Sequence, residues 1–134
     1  MKVSKVLRQA KAVIATPDKW CKDFLEIHGR HCFFGALNMA HHGQHVWTTE
    51  AFALGEKIAA MIALPRRAGI SDITAVVDFN NAQTTTHEDI MNLFDRAIAI
   101  AEQEENPRIS DAEYTRQFIE SVSTVKTQEV ATAK

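Results

Sequence analysis

A chain of 134 residues, 46% hydrophobic and 24% charged, has the size and composition of one globular domain, which excludes a disordered or fibrous protein. Its net charge of −2 gives no overall positive field, so nucleic acid is not expected as a partner. The charge is uneven: residues 1–45 hold seven Lys and Arg against three Asp and Glu, and residues 46–134 hold eight against fourteen. We expect the two halves to face each other in the fold, so that their opposite charges partly cancel.

The N-terminus and the cysteines indicate a cytoplasmic protein. Residues 1–5 open a basic amphipathic stretch rather than the apolar segment of a secretory signal. No apolar run approaches the length of a membrane span, so no membrane association is expected. Without a secretory context, Cys21 and Cys32 are expected as two reduced thiols and not as a disulfide.

Apolar residues at helical spacing predict four helices in the first half of the chain. They occupy, in order, about residues 3–14, 17–28, 32–41 and 50–63. Gly29 would cap the second helix in a left-handed conformation. In the third helix, the small residue Gly35 would let another helix come close. Either Thr48 or Thr49 would cap the fourth, which would bury Phe52 among its apolar residues.

The second half of the chain begins with a β-branched stretch. Residues 73–79 predict a short extended segment for which the sequence offers no second good strand. The most strongly patterned helix follows it. Thr85 and Glu88 have the spacing of a capping box, and apolar residues from 90 to 101 then share one face.

Polar residues close the chain. A last helix is predicted to start at Ser110, and from residue 121 onward the composition is that of a tail. The sequence therefore predicts a mainly α protein of about five to six helices with one short extended segment near 73–79. These elements would form a single compact helical domain over residues 1–120, followed by a polar C-terminal tail over 121–134.

Four pieces of the sequence occur in an order that makes one resemblance specific. They are Trp20-Cys21, Arg30 to Leu37 with Cys32 and Gly35-Ala36-Leu37, Phe79-Asn80-Asn81, and Thr86 to Ala97 with Leu93-Phe94-Asp95. Over about residues 3–102 they resemble a family of small bacterial and bacteriophage proteins of unknown function. The resemblance implies a compact fold, an uncharacterised activity, and a bacterial or phage-infected cell. That family usually has a carboxylate where this chain has Asn81, which argues against a mechanism that needs an acid there.

One catalytic hypothesis uses Cys32 with His87 and Asn80. A cysteine in the first turn of a helix lies near unpaired amides and the positive end of the dipole, which favour the thiolate. Together with a histidine and an asparagine it forms a set that thiol hydrolases use. The opposing interpretation is that Cys32 packs in the core and His87 is an exposed residue of a first helical turn. We favour the second interpretation and keep a Cys-dependent hydrolase or transferase as the alternative.

A metal site is the second chemical hypothesis. Five of the six histidines fall within residues 28–45, and Cys21, His28, His31 and Cys32 could supply the thiolate and imidazole ligands that zinc prefers. No Cys-x-x-Cys pair is present, however, and no His pair is backed by a carboxylate at helical spacing. We therefore expect a solvated His-rich stretch, with no metal and no other cofactor.

Five residues are candidates for contact with a partner: Trp47, Arg66, Arg67, Asn80 and Asn81. Trp47 could anchor a partner or could pack onto the start of the fourth helix. The two asparagines could act as a catalytic amide pair or could satisfy backbone groups near a turn. Because packing and capping explain the clear patterns, we expect a non-enzymatic binding or regulatory protein with a protein partner. A homo-oligomer is left open.

Overall fold

Five helices and a two-stranded hairpin make up residues 2–106, the part of the chain that a computed structural model describes. The elements are α1 (Val3–Val13), β1 (Glu26–Ile27), β2 (Arg30–His31), α2 (Phe33–His42), α3 (Thr49–Ile62), α4 (Asp72–Asn81) and α5 (His87–Glu105). The mainly α prediction is confirmed, and a compact unit spans Met1–Ala101. The helix predicted from Ser110, the boundary at residue 120 and the predicted tail lie outside the described residues. None of these five helices is both long and apolar enough to cross a membrane.

Helix α2 lies at the centre of the core. It contacts α1, α3 and α4, and its residues from Phe33 to Asn38 are all buried. The Phe33 ring stacks on the Phe94 ring of α5 at a centroid distance of 4.3 Å and meets the Phe34 ring edge-on at 5.2 Å. Each fully buried phenylalanine contributes about 2–3 kcal/mol through removal of apolar surface from water. The burial of α2 therefore makes a large contribution to the stability of the domain.

The apolar stripes predicted for the first and last of these helices are confirmed. Helix α1 and its C-cap bury Val6, Leu7, Ala10 and Ile14, and α5 buries Ile90, Leu93, Phe94, Ala97 and Ala101. The Lys11 Nζ lies 2.6 Å from the Asp95 Oδ1, which pairs one basic residue of α1 with one acidic residue of α5. Both side chains are partly exposed, so this pair adds little to stability.

The caps of α5 and α3 refine the predicted boundaries. At α5 the Thr86 N–H donates to Asp89 Oδ2 at 2.9 Å, and the Asp89 N–H donates back to Thr86 Oγ1 at 3.2 Å. This capping box lies one residue after the predicted Thr85–Glu88 pair. At α3 the Thr48 hydroxyl accepts from the Ala51 N–H at 3.0 Å, which identifies the cap. The prediction that Phe52 is buried was wrong, since it is 45% exposed.

The extended segment predicted for residues 73–79 was wrong, because these residues belong to α4. The Ser71 hydroxyl caps this helix by accepting from the Thr74 N–H at 3.0 Å. Ala75, Val76 and Asn80 are buried on one side of it. Placing a β-branched residue in a helix costs roughly a few tenths of a kcal/mol. Packing of the buried side of α4 against the domain outweighs this cost.

The helix predicted over residues 17–28 was also wrong. Only a 3-10 turn forms at Pro17–Lys19, and β1 pairs with β2 as an antiparallel hairpin. His28 and Gly29 form its two-residue loop with φ of +52° and +80°, the left-handed conformations that such tight hairpin turns require. Gly29 is thus left-handed as expected, but it turns a hairpin and does not cap a helix.

Gly35 explains how the irregular segment before the hairpin is held. A Cβ atom at this position would lie 1.9 Å from the Leu25 carbonyl oxygen. The close neighbour of α2 is therefore the backbone of residue 25, and not another helix as predicted. The Cys32 N–H donates to the same Leu25 carbonyl at 3.4 Å. Only glycine permits this approach.

The Gly35→Ala substitution should lower the free energy of unfolding by about 2–4 kcal/mol, because overpacking and the displaced Leu25 carbonyl act together. Gly55→Ala is the matched control. Its Cβ would meet the Trp47 ring at 3.1 Å and the Phe34 ring at 3.5 Å, which are side chains and not backbone, so a change within about 1 kcal/mol is expected. Denaturant unfolding measures both variants. Equal losses for the two would contradict the role assigned to Leu25.

Candidate functional site

Asn80 is the most fully bonded polar side chain near the C-terminal end of α4. Its Oδ1 accepts from Trp20 Nε1 at 2.9 Å and from the Phe33 N–H at 3.1 Å. Its Nδ2 donates to the Cys21 carbonyl at 3.2 Å and to Asn81 Oδ1 at 3.0 Å. The two acceptor positions and the two donors of the amide are all in use. Asn80 therefore satisfies buried groups of other segments and has no free hydrogen-bonding capacity to offer a substrate.

Cys32 caps α2 instead of lying inside its first turn. Its Sγ accepts from the Gly35 N–H at 3.3 Å. The amides of α2 lower the pKa of this thiol, but burial has the larger effect and raises it above the ordinary value. The thiolate that the helix N-terminus was expected to favour is thus disfavoured by desolvation.

Cys21 is the second cysteine whose pKa is raised. It is 8% exposed and lies next to the 3-10 turn, where its Sγ donates to the Phe24 carbonyl at 3.3 Å. Burial, with a smaller effect from the neighbouring Cys32, raises the pKa of Cys21 to about 11. Both cysteines are free.

His87 has its Nε2 at 2.8 Å from the Ile14 carbonyl oxygen. A carbonyl can only accept, so this contact requires the proton on Nε2 and removes that nitrogen as a base. The ring also contacts the Trp20 indole, at a centroid distance of 6.1 Å. The structure therefore attaches His87 to the end of α1. Of the three residues in the catalytic hypothesis, Cys32 and Asn80 line a common cleft, and His87 is not among its lining residues.

The four residues of the zinc hypothesis are not arranged as ligands. Within residues 2–106, no group of three or more His, Cys, Asp and Glu side chains is placed to hold a metal ion. His28 is exposed at the hairpin loop, whereas His31 is buried in β2. Burial lowers the pKa of His31, and the nearby His45 adds to this effect, with ring centroids 6.4 Å apart.

Trp47 lies just before the cap of α3 and packs in two directions. Its ring contacts Phe52 at a centroid distance of 5.6 Å and Phe34 of the core at 5.4 Å. The contact between Trp47 and Phe52 joins the residue before the cap to the fourth helical residue, which is the geometry of a hydrophobic staple. Trp47 thus packs onto the start of this helix, which is one of the two roles that the sequence left open.

An aromatic cleft of about 150 Å³ opens beside Trp47. It is lined by Asp23, Phe24, Leu25, Cys32, Phe33, Phe34, Trp47, Val77, Asn80 and Asn81. At its rim the Asn81 Oδ1 accepts from the Asp23 N–H at 2.7 Å and from Asn80. The Nδ2 of Asn81 donates to no group among the described residues. The cleft thus has apolar walls and one available amide donor at its edge.

Three exposed apolar side chains adjoin Trp47. Phe24 is 55% exposed and shares the cleft, Val46 is 42% exposed and precedes Trp47 in the chain, and Phe52 is in ring contact with it. We call Phe24, Val46, Trp47 and Phe52 the aromatic surface. The sequence did not reveal the position of Phe24 beside this cleft, because the helix predicted over residues 17–28 does not form.

Arg66 and Arg67 line a different cavity, of about 500 Å³. We call it the arginine cavity; its other lining residues are Leu64, Pro65, Ile70, Ala75, Asp78 and Phe79. Helix α4 forms a wall of both sites. Residues 75, 78 and 79 face the arginine cavity, and residues 77, 80 and 81 face the aromatic cleft, as helical spacing dictates. The five predicted binding residues are therefore divided between two places.

Comparison with known proteins gives one match. Residues 1–100 match the model of a family of unknown function, DUF6197, and the chain belongs to that family. Searches of curated proteins and of solved structures found no match. Both the aromatic cleft and the arginine cavity lie within the matched residues.

Replacement of Asn80 tests its structural role. Asn80→Leu should lower the free energy of unfolding by about 3–5 kcal/mol, because it leaves the Trp20 indole, the Phe33 N–H and the Cys21 carbonyl without their partner. Asn81→Ala is the control and should cost about 1 kcal/mol or less, since it removes an acceptor at a partly exposed rim. Chemical unfolding of both variants measures the two losses of stability. The assigned role fails if the Asn80 variant loses no more stability than the control.

Alkylation kinetics test whether the raised pKa values of the two thiols make them slow to react. Because the pKa values of Cys21 and Cys32 are both raised, thiolate forms only as the pH rises above the ordinary range. With iodoacetamide near neutral pH, each cysteine of the native protein should react at least about tenfold more slowly than free cysteine, and the rate should rise up to high pH. Alkylation followed by mass spectrometry measures each site. Fast reaction of Cys32 at neutral pH would restore the hydrolase hypothesis.

Proposed function

We propose that this family member is a non-enzymatic protein-binding module that holds one large apolar side chain of a partner peptide segment in the aromatic cleft. The observation that supports it is the gathering of exposed Phe24, Val46 and Phe52 around Trp47. Exposed apolar patches with polar rims are typical of interaction sites, and aromatic residues often carry most of the binding energy there.

The size and the rim of the cleft favour a peptide occupant. A dry apolar cavity of about 150 Å³ is known to take a benzene-sized group, which corresponds to one side chain of Leu, Met or Phe size. The free Nδ2 of Asn81 offers a donor to a partner's backbone carbonyl. The exposed Asp23 carboxylate beside it offers an acceptor to a backbone N–H.

The remaining parts of the proposal concern chemistry and location. Raised thiol pKa values and the bonded Nε2 of His87 favour binding over catalysis by Cys32. Two unpaired cysteines suit a reducing compartment. We place the protein as an accessory or regulatory factor in the cytoplasm of a bacterium or a phage-infected cell, with a protein rather than a nucleic acid as its partner.

Selection from a random peptide library with the full chain as bait tests the proposal. The selected peptides should share one large apolar residue. Phe24→Ala shortens a wall of the cleft and Val77→Phe fills it, so each should weaken binding by at least about tenfold. Lys57→Gln, an exposed change on α3 outside both cavities, is the control and should leave the Kd unchanged. Fluorescence polarisation with a labelled selected peptide measures these constants.

Two results would contradict the peptide-binding function. One is a set of peptides with no shared apolar residue, or peptides whose binding neither cleft variant changes. The other is a second copy of this chain as the occupant. In that case sedimentation would show a dimer that Phe24→Asp dissociates, and the peptide partner would be the wrong assignment.

A further inference from the structure

The arginine cavity has the dimensions of a small-molecule site. It lies between the loop that follows α3 and the face of α4 carrying residues 75, 78 and 79. Its volume of about 500 Å³ falls within the range common for ligand pockets. The apolar part of the wall consists of Leu64, Pro65, Ile70, Ala75 and Phe79. An apolar group of moderate size can therefore be taken out of water here.

The charged residues of the cavity differ in their availability. The Arg66 Nε lies 3.0 Å from Asp72 Oδ1, and the same guanidinium bonds to the Ile70 carbonyl through Nη1. Arg66 thus bonds across the loop that precedes α4, and its charge is paired with that of Asp72. Arg67 and Asp78 are both exposed, and neither side chain forms a hydrogen bond or ion pair within residues 2–106. The cavity therefore presents one unpaired cation and one unpaired anion beside an apolar wall.

We infer that the arginine cavity binds an apolar α-amino acid in its zwitterionic form. Arg67 binds the carboxylate, for which a guanidinium is geometrically suited, and Asp78 binds the ammonium group. The apolar wall covers the side chain. A zwitterion pairs with both side chains at once, whereas a ligand with a single charge pairs with only one of them, so the zwitterion fits this set better. The site is separate from the aromatic cleft and does not depend on the function proposed for that cleft.

Titration of the full chain with L-phenylalanine, followed by amide NMR shifts, tests the inference. Saturable shifts are expected in residues 64–79. Two analogues isolate the charges: phenethylamine lacks the carboxylate and 3-phenylpropanoate lacks the ammonium group. Each analogue should bind about fivefold more weakly than phenylalanine, the scale of one partly exposed ion pair.

Two variants of exposed residues complete the test. Arg67→Gln should weaken phenylalanine binding about fivefold and leave phenethylamine unchanged. Asp78→Asn should weaken phenylalanine by a similar factor and leave 3-phenylpropanoate unchanged. Lys57→Gln should change nothing. The inference is overturned by the absence of saturable shifts up to about 10 mM, where even a ligand with a Kd of ~1 mM would be mostly bound. It is also overturned if neither charge variant changes the affinity.

Discussion

Three of the four hydrogen bonds of the Asn80 amide join α4 to two other parts of the chain, the irregular segment from Trp20 to Leu25 and the start of α2. The segment from Trp20 to Leu25 forms neither helix nor strand, so its buried polar groups need partners from outside. Asn80 supplies them to the Trp20 indole and the Cys21 carbonyl, and it also bonds to the N-terminal Phe33 of α2. One side chain thus bonds to both the irregular segment and α2 at the point where they meet α4.

This junction explains why both cavities adjoin α4. The segment held by Asn80 carries Phe24 to the edge of the aromatic cleft, and Gly35 lets its backbone lie against α2. The opposite face of α4 borders the arginine cavity through Asp78 and Phe79. A ten-residue helix with one buried, fully bonded amide therefore serves as a common wall, and its position is set by the domain rather than by either cavity.

The sequence predicted those parts of the fold in which local pattern and packing agree. In α1 and α5 the apolar spacing alone identifies the buried face, and the threonines before α3 and α5 identify their starts to within one residue. The extended segment predicted for residues 73–79 was wrong because β-branched residues have only a weak preference for strands, which packing reverses. The helix predicted over residues 17–28 was wrong because the structure of this segment depends on partners distant in sequence, above all Asn80. A local sequence pattern does not contain those partners. Phe24 was absent from the predicted binding residues for the same reason.

The chemistry of the thiols follows from this arrangement as well. A helix N-terminus favours a thiolate by roughly 0.3–1 kcal/mol when it is exposed, whereas desolvation of a buried charge costs several kcal/mol. At Cys32, whose backbone N–H bonds to the Leu25 carbonyl, burial outweighs the amides of α2 and raises the pKa of the thiol. Cys21 is shielded by the same segment. The packing that holds the irregular segment in place thus raises the pKa of both thiols, and it also places Phe24 and Cys32 in the wall of the cleft beside Trp47.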